Sequence, residues 1–116
     1  MKYEVISVSS WDCDPYTFDP SIDPRFSDNP DCWGMLLTFT IGSNGAGDNF
    51  DLYVCSRDWI SRPEWVQYTL VDYHWNIKEI IRLVNIKIEE CTEDTWEKTA
   101  KRLSKYMLWE FDDYQP

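Results

Sequence analysis

The strongest constraint on the fold is an amphipathic pattern in the C-terminal half of the chain. Between Ile77 and Cys91, apolar residues recur at helical spacing, while the charged residues fall outside that stripe. The stripe consists of Ile77, Ile80, Ile81, Val84, Ile88 and Cys91. Because most of these residues are β-branched and lower the intrinsic helix propensity, the predicted helix must be stabilised by packing against another layer.

The residues before this helix alternate between apolar and polar side chains, which is typical of half-buried strands. The alternation predicts strands at residues 3–9, 33–41, 50–55 and 65–73. A glycine-rich turn from Gly42 to Asp48 joins the second and third strands in a hairpin. This turn lacks the Lys-Ser or Lys-Thr ending and the following helix of a phosphate-binding loop, so we interpret it as structural.

A second helix is predicted from about Thr95 to Leu108. Asp94 suits the N-cap position, and Glu97 completes an arrangement similar to a capping box. The apolar residues that repeat at helical spacing are Trp96, Ala100, Leu103 and Met107. Strands followed by helices indicate an α+β fold, with an antiparallel sheet of about four strands covered on one face by two C-terminal helices. Residues 1–116 are expected to form a single domain.

The charge of the chain bears on its partners. It has 21 acidic against 11 basic residues and a formal net charge of -10, which argues against direct nucleic-acid binding because phosphate contacts need Lys and Arg. The chain is also 43% hydrophobic and 16% aromatic, which argues against disorder. A negative field draws basic macromolecules, and Trp and Tyr provide interface area. The alternative is that the acidity serves only solubility.

The cysteine pattern gives no sign of a metal site. Cys13, Cys32, Cys55 and Cys91 are widely spaced, and His74 is the only histidine, so no zinc site and no cofactor is implied. The N-terminus lacks the apolar core of a signal peptide, and no window reaches the length of a membrane span. We therefore expect a cytosolic protein with reduced thiols and no membrane partner, in which Cys55 and Cys91 are core residues. A disulfide between Cys13 and Cys32 is the alternative for that pair.

Carboxylates are concentrated in two stretches. Residues 10–31 contain four prolines and six aspartates against one base, which predicts an irregular acidic loop. Residues 109–114 interleave three aromatic rings with three carboxylates. From these stretches we predict a partner-binding surface formed by Asp19, Asp23, Asp28, Asp31, Glu110, Asp112, Asp113 and Tyr114.

Both stretches also have a structural interpretation. An aspartate before a proline often begins a turn by bonding its own backbone. If the terminal run is extended, Glu110, Asp112 and Tyr114 share one face, and Trp109 and Phe111 form a core pair on the other. Catalysis needs carboxylates in a cleft with contrasting environments, and no Ser-His-Asp or Cys-His constellation is evident. No catalytic residue is therefore predicted.

Several segments resemble a known family. They are Leu37 to Gly42, Phe50 to Cys55, Trp59-Ile60, Asp94 to Trp96, Leu103 to Tyr106 and Trp109 to Tyr114. Together they resemble bacterial toxin-immunity proteins of the class called immunity protein 8, over most of residues 33–114. The closing Trp-Glu-Phe-Asp-Asp-Tyr run is the most specific part of this resemblance. The resemblance implies a non-enzymatic protein that binds the C-terminal domain of a polymorphic or contact-dependent growth-inhibition toxin, and such domains are frequently nucleases.

The charge argument agrees with this implication. A nuclease presents a basic groove to phosphates, and an acidic protein can cover that groove. We therefore predict a 1:1 complex in which the acidic surface covers the substrate-binding surface of a toxin domain. The alternative is a small carbohydrate- or ligand-binding module, in which Trp and Tyr stack on sugar rings and aspartates bond the hydroxyls. A two-carboxylate hydrolase is a third hypothesis.

Overall fold

The computed structural model describes residues 2–26, 33–57, 60–72 and 75–112. The strands are β1 (Glu4–Ser9), β2 (Gly34–Ser43), β3 (Ala46–Ser56), β4 (Glu64–Val66), β5 (Thr69–Asp72) and β6 (Leu108–Trp109). The helices are α1 (Ile77–Cys91) and α2 (Trp96–Leu103), and one short 3-10 turn covers Pro24–Phe26. The fold is therefore α+β, as the sequence predicts.

The strands form a mixed sheet of six strands in the order β1-β2-β3-β5-β4, with β6 also pairing with β3. The prediction of about four strands, all antiparallel, is wrong in this respect. Residues 65–73 do not form one strand, because Tyr68 adopts a positive φ of 60° and the chain turns between β4 and β5. The return strand β5 then lies parallel to β3, with Val54 opposite Leu70.

The predicted hairpin is present, but its turn is tighter than expected. Asn44 and Gly45 have φ values of 54° and 79°, and Ser43 pairs with Ala46. Two central residues with positive φ are typical of a type I′ turn, which suits Asn-Gly. Gly42 and Gly47 lie in the paired strands rather than in the turn, and a Cβ on Gly47 would lie 2.1 Å from the Ile41 carbonyl oxygen.

Helix α1 has the predicted bounds. Asn76 is its N-cap and accepts a hydrogen bond from the Glu79 amide, while the residues of the apolar stripe other than Ile81 are buried. Helix α2 differs from the prediction at both ends. Its N-cap is Thr95, whose side chain accepts from the Lys98 amide, and the helix ends at Leu103 rather than Leu108.

The early end of α2 has a packing reason. The Met107 amide donates to the Leu103 carbonyl oxygen at 3.0 Å, and Met107 is fully buried in the turn that follows the helix. The chain therefore satisfies the apolar repeat without remaining helical. It then reverses into β6, where Trp109 lies opposite Phe50.

The sheet has one covered face and one open face. Alternate residues of β2 and β3, including Leu37, Phe39 and Leu52, are fully buried in the same hydrophobic cluster as Ile80 and Leu103 of the helices. Both helices thus share one hydrophobic core with these strand residues. The intervening residues of these strands point away from the helices, because successive side chains of a strand alternate between faces.

The acidic loop is held by aromatic packing at Phe18. Its ring contacts Phe26, Trp33 and Trp75 edge-on at centroid distances of 5.2 to 5.6 Å. Ile22, in contrast, is 78% exposed, so it does not anchor the loop. Cys13, Cys55 and Cys91 carry free thiols. Cys32 and His74 lie outside the described residues.

Candidate functional site

Within the described residues, only Trp109 of the terminal acidic run lies in a strand. Leu108 and Trp109 pair with β3, and the Glu110 amide donates to the Asn49 carbonyl oxygen at 3.1 Å. The Asp112 amide then donates to the Trp109 carbonyl oxygen at 3.0 Å, which closes a turn. The expectation that Glu110, Asp112 and Tyr114 share one face of an extended run is therefore wrong for the described part. Asp113 and Tyr114 lie outside it.

Trp109 and Phe111 do not form the expected core pair. Trp109 is half-buried and stacks on Phe50 at an interplanar angle of 12°. Phe111 touches the Trp109 ring edge-on at 6.0 Å but remains 42% exposed. The turn after Trp109 thus places one ring against the core and leaves the next at the surface. Glu110 and Asp112 are both exposed beside it.

Asp48 fixes the position of this terminal segment. Its Oδ2 atom accepts hydrogen bonds from the indole Nε1 of Trp96 at 2.9 Å and of Trp109 at 3.1 Å. One carboxylate oxygen therefore joins the β2–β3 hairpin to the start of α2 and to β6. The sequence places Asp48 in a glycine-rich turn and gives no sign of this role. The two tryptophans lie 48 and 61 positions away.

The described aspartates of the loop are engaged in turns. The Asp19 side chain accepts from the Ser21 hydroxyl at 2.7 Å and from the Ser21 amide at 3.0 Å, and both bonds hold the pKa of Asp19 below its usual value. Arg25 binds Asp23 through its side chain and its amide, which lowers the pKa of Asp23. These contacts agree with the turn interpretation. Asp28 and Asp31 lie outside the described residues.

A shallow depression on the open face of the sheet adjoins the terminal run. It is lined by Trp11, Thr38, Asn49, Asp51, Leu108, Trp109 and Glu110. The structure thus brings Trp11, at the start of the acidic loop, to the same place as Glu110. Of the described aspartates predicted for the loop, Asp19 and Asp23 are not among the residues that line this depression.

Among the residues that line this depression, sequence reasoning had assigned only Glu110 to a binding surface. Trp11 is 91% exposed, Asp51 is half-buried, and Leu108 is 47% exposed at the edge of β6. The Thr38 hydroxyl donates to Asp51 Oδ1 at 2.7 Å, across the pair of β2 and β3. The period-two alternation contained a signal for Thr38 and Asp51, because it places both on the face opposite the core. No sequence pattern indicated Trp11 or Leu108.

The electrostatics of the depression suit a cation. Asp51 and Glu110 contribute carboxylates, and none of the lining residues in the described part of the chain is Lys or Arg. A second depression lies between the start of β1 and the outer face of α1, and it has the opposite character. It is lined by Lys2, Lys78 and Arg82 together with Tyr3 and Glu89, and Arg82 Nε donates to Glu79 at 2.9 Å.

The described residues offer little for catalysis or metal binding. Across residues 2–26, 33–57, 60–72 and 75–112, no three His, Cys, Asp or Glu side chains form a group that could hold a metal ion. Cys55 and Cys91 are buried, and burial raises the pKa of each thiol, so neither has the character of an activated nucleophile. The arrangement on the open face is suited to contact and charge pairing.

Comparison with known protein families identifies a match that covers almost the whole chain. The family model described as Immunity protein 8 matches residues 4–114, which confirms the resemblance noted in the sequence and extends it through β1 and the acidic loop. Among curated proteins and among solved structures, none matches the chain. Neither helix of the described part is long and apolar enough to cross a membrane.

Proposed function

The chain belongs to the immunity protein 8 family, and from this premise we propose that it binds and neutralises a cognate bacterial toxin domain. It acts without enzymatic activity or a cofactor, as one immunity protein bound to one toxin domain. Its place of action is the cytosol, where an incoming toxin domain meets its substrate. The partner is the C-terminal domain of a polymorphic or contact-dependent growth-inhibition toxin.

The observation that carries the finer proposal is the acidic depression on the open face. An exposed indole and two carboxylates lie together there, with no base among the described lining residues, on a chain with a formal charge of -10. A surface of this kind complements a basic one, and nuclease domains are basic where they hold phosphates. We therefore propose a nuclease as the toxin, inhibited because the immunity protein covers its substrate-binding surface.

Inhibition by coverage follows from elementary electrostatics. The net negative charge accelerates the encounter with a basic domain, and the close contacts made by aromatic and apolar side chains then slow dissociation. In the complex, the carboxylates neutralise the positive potential of the toxin surface that would otherwise attract nucleic acid. Glu110, Asp112, Asp113 and Tyr114 are the proposed terminal contacts. Asp19, Asp23, Asp28 and Asp31 are the proposed contacts of the loop.

The test uses the toxin domain encoded by the gene next to the one for this chain. The purified domain and the full-length chain are mixed in a titration calorimeter, and toxin-producing cells are grown with and without the chain. The expected results are heat at 1:1 stoichiometry and survival only of cells that contain the chain. The absence of both heat and protection overturns the proposal. If binding occurs but the toxin has no nuclease activity, only the nuclease assignment is wrong.

One observation favours a second candidate function. An exposed tryptophan next to Asp51 and Asn49 also suits a sugar ring, which stacks on an indole while side chains bond its hydroxyls. Ionic strength separates the two ideas. Binding of a basic protein weakens as salt rises, whereas stacking on a neutral sugar is nearly independent of salt.

A further inference from the structure

We propose that the depression on the open sheet face receives an arginine side chain of the toxin, with Trp11 as its anchoring ring. This inference rests on the proposed function and identifies the surface and the chemistry of the contact. It differs from the sequence prediction, which gave the contacts to the aspartates of the loop and to the terminal run. Glu110 is the residue that both assignments share.

Trp11 differs from the other described tryptophans. It is 91% exposed, while Trp33 is buried and Trp65, Trp75, Trp96 and Trp109 pack against the core. The backbone on either side of Trp11 is nevertheless held. The Ser10 hydroxyl donates to the Leu36 carbonyl oxygen at 2.9 Å and accepts from the Asp12 amide at 3.2 Å. An exposed indole on a held backbone is suited to anchor a partner, since tryptophan is enriched among residues that dominate binding energy.

The carboxylates of the depression are placed to pair with a guanidinium group. Asp51 is oriented by the Thr38 hydroxyl, which binds its Oδ1 atom at 2.7 Å. The backbone of Glu110 is held by the hydrogen bond that its amide donates to the Asn49 carbonyl oxygen. The side chain of Glu110 is exposed. Among the residues that the structure describes, no base lines the depression to neutralise these charges.

Arginine fits these features better than lysine. A planar guanidinium can stack on an indole while its N–H groups bind carboxylates, whereas an ammonium is a compact and strongly hydrated charge. The exposed apolar surface of Leu108 can cover the methylene stem of the bound side chain. The Trp11 ring therefore suits the guanidinium plane, the carboxylates suit its N–H groups, and Leu108 suits the methylene stem of one arginine side chain.

The charge distribution also selects the face. The depression beside α1 carries Lys2 and Lys78 as well as Glu89 and Arg82, which is paired with Glu79, and like charges across an interface disfavour binding. A basic partner is therefore directed to the open sheet face and away from the outer face of α1. This contrast provides a control surface on the same molecule.

The first experiment compares Trp11→Ala with Tyr16→Ala, an exposed aromatic of the same loop, in surface plasmon resonance against the toxin domain encoded by the neighbouring gene. Trp11→Ala is expected to weaken binding about 30-fold or more, as truncation of an interface anchor does, mainly through faster dissociation. Tyr16→Ala is expected to change binding less than about twofold, as most surface contacts do. Both variants should retain the wild-type unfolding midpoint, since both side chains are exposed.

The second experiment identifies the contacted group. Each arginine and lysine of the toxin domain is replaced by alanine, and each variant is measured against wild-type chain, Trp11→Ala and Glu110→Gln. One arginine is expected to lose most of its effect when Trp11 or Glu110 is already changed, because residues in contact are energetically coupled.

Three results would overturn the inference, and they are distinct. If the wild-type chain binds the toxin and Trp11→Ala binds equally well, the inference is wrong while the proposed function stands. If Trp11→Ala binds weakly but no arginine of the toxin is coupled to Trp11 or Glu110, the arginine assignment is wrong. If the wild-type chain does not bind the toxin, the proposed function fails and the inference fails with it.

Discussion

The indole Nε1 of Trp109 donates a hydrogen bond to Asp48 Oδ2 at 3.1 Å, across 61 positions of sequence. Trp96 donates to the same oxygen at 2.9 Å. This shared acceptor attaches the terminal segment to the β2–β3 hairpin and so holds Glu110 beside the open face of the sheet. The stability of that attachment can be measured directly.

Replacing Asp48 with alanine is expected to destabilise the protein by about 2 kcal/mol, because both indole N–H groups lose a charged acceptor in a partly buried site. Asp48→Asn is expected to cost less, since an amide oxygen still accepts. The free energy of unfolding in urea measures both variants. A change below about 0.5 kcal/mol for Asp48→Ala, the range of ordinary surface substitutions, contradicts the structural role.

Thr95 and Asp94 provide a direct comparison of the observed and the expected N-cap of α2. Thr95→Ala is expected to cost about 1 kcal/mol, because it removes the acceptor for the Lys98 amide. Asp94→Ala should stay within about 0.5 kcal/mol, since Asp94 is exposed and makes only a surface ion pair with Lys98. The free energy of unfolding in urea is measured for both variants. A larger loss for Asp94→Ala than for Thr95→Ala would identify Asp94 as the N-cap instead.

The ammonium group of Lys87 joins α1 to β4 and to the turn that follows α2. Its Nζ atom lies 4.3 Å from the Tyr106 ring centroid and 5.5 Å from that of Trp65, and 2.9 Å from Glu90. Lys87→Ala is expected to destabilise the protein by about 1 to 2 kcal/mol through lost cation–π contact and lost packing of the stem. The exposed Lys98→Ala is the matched control in the same unfolding assay, and equal effects of the two changes would argue against the cation–π role.

Charge reversal at Glu110 and Asp112 tests the terminal contacts of the proposed function. The double variant Glu110→Lys and Asp112→Lys is expected to slow association with the toxin domain and to speed dissociation, so that protection is lost. Reversal at Glu97, which is exposed on α2, is the control. Association of the wild type should also slow as salt rises, since screening weakens the attraction. Unchanged protection by the double variant removes these two residues from the interface.

The buried thiols should be protected from reagents. In a Cys13→Ser, Cys32→Ser variant, Cys55 and Cys91 are expected to react with a thiol reagent only after unfolding, because burial raises the pKa of each thiol and blocks access. Rapid labelling of the native variant would show that these positions are open. Labelling in urea supplies the control for reagent quality.

The raised pKa values of the buried thiols also predict how the free energy of unfolding depends on pH. A thiol whose pKa is raised above 9.0 in the fold stays neutral there, while it ionises first in the unfolded chain. Its stabilising effect is therefore complete below pH 9.0 and declines as pH rises through the folded pKa. The fall in unfolding free energy above pH 9 should be smaller in Cys55→Ala than in the wild type.

The sequence was sufficient to predict those elements whose side-chain pattern is compatible with only one kind of secondary structure. The apolar stripe of α1 gave its bounds, because a buried stripe of that period is possible only as a helix. The alternation in residues 33–41 and 50–55 likewise identified β2 and β3 and the face that each residue occupies. The resemblance of several segments, above all the closing Trp-Glu-Phe-Asp-Asp-Tyr run, was also sufficient to indicate the family, which the match over residues 4–114 confirms.

Only the tertiary structure decided those elements whose side-chain pattern is compatible with two local conformations. Met107 can be buried by a longer helix or by a turn after Leu103, and the pairing of Trp109 with Phe50 favours the turn. Residues 65–73 can form one strand or a hairpin, and the space beside β3 accommodates the returning β5. Trp11 and Glu110 line the same depression because packing joins distant segments, and local sequence periodicity carries no information about such proximity.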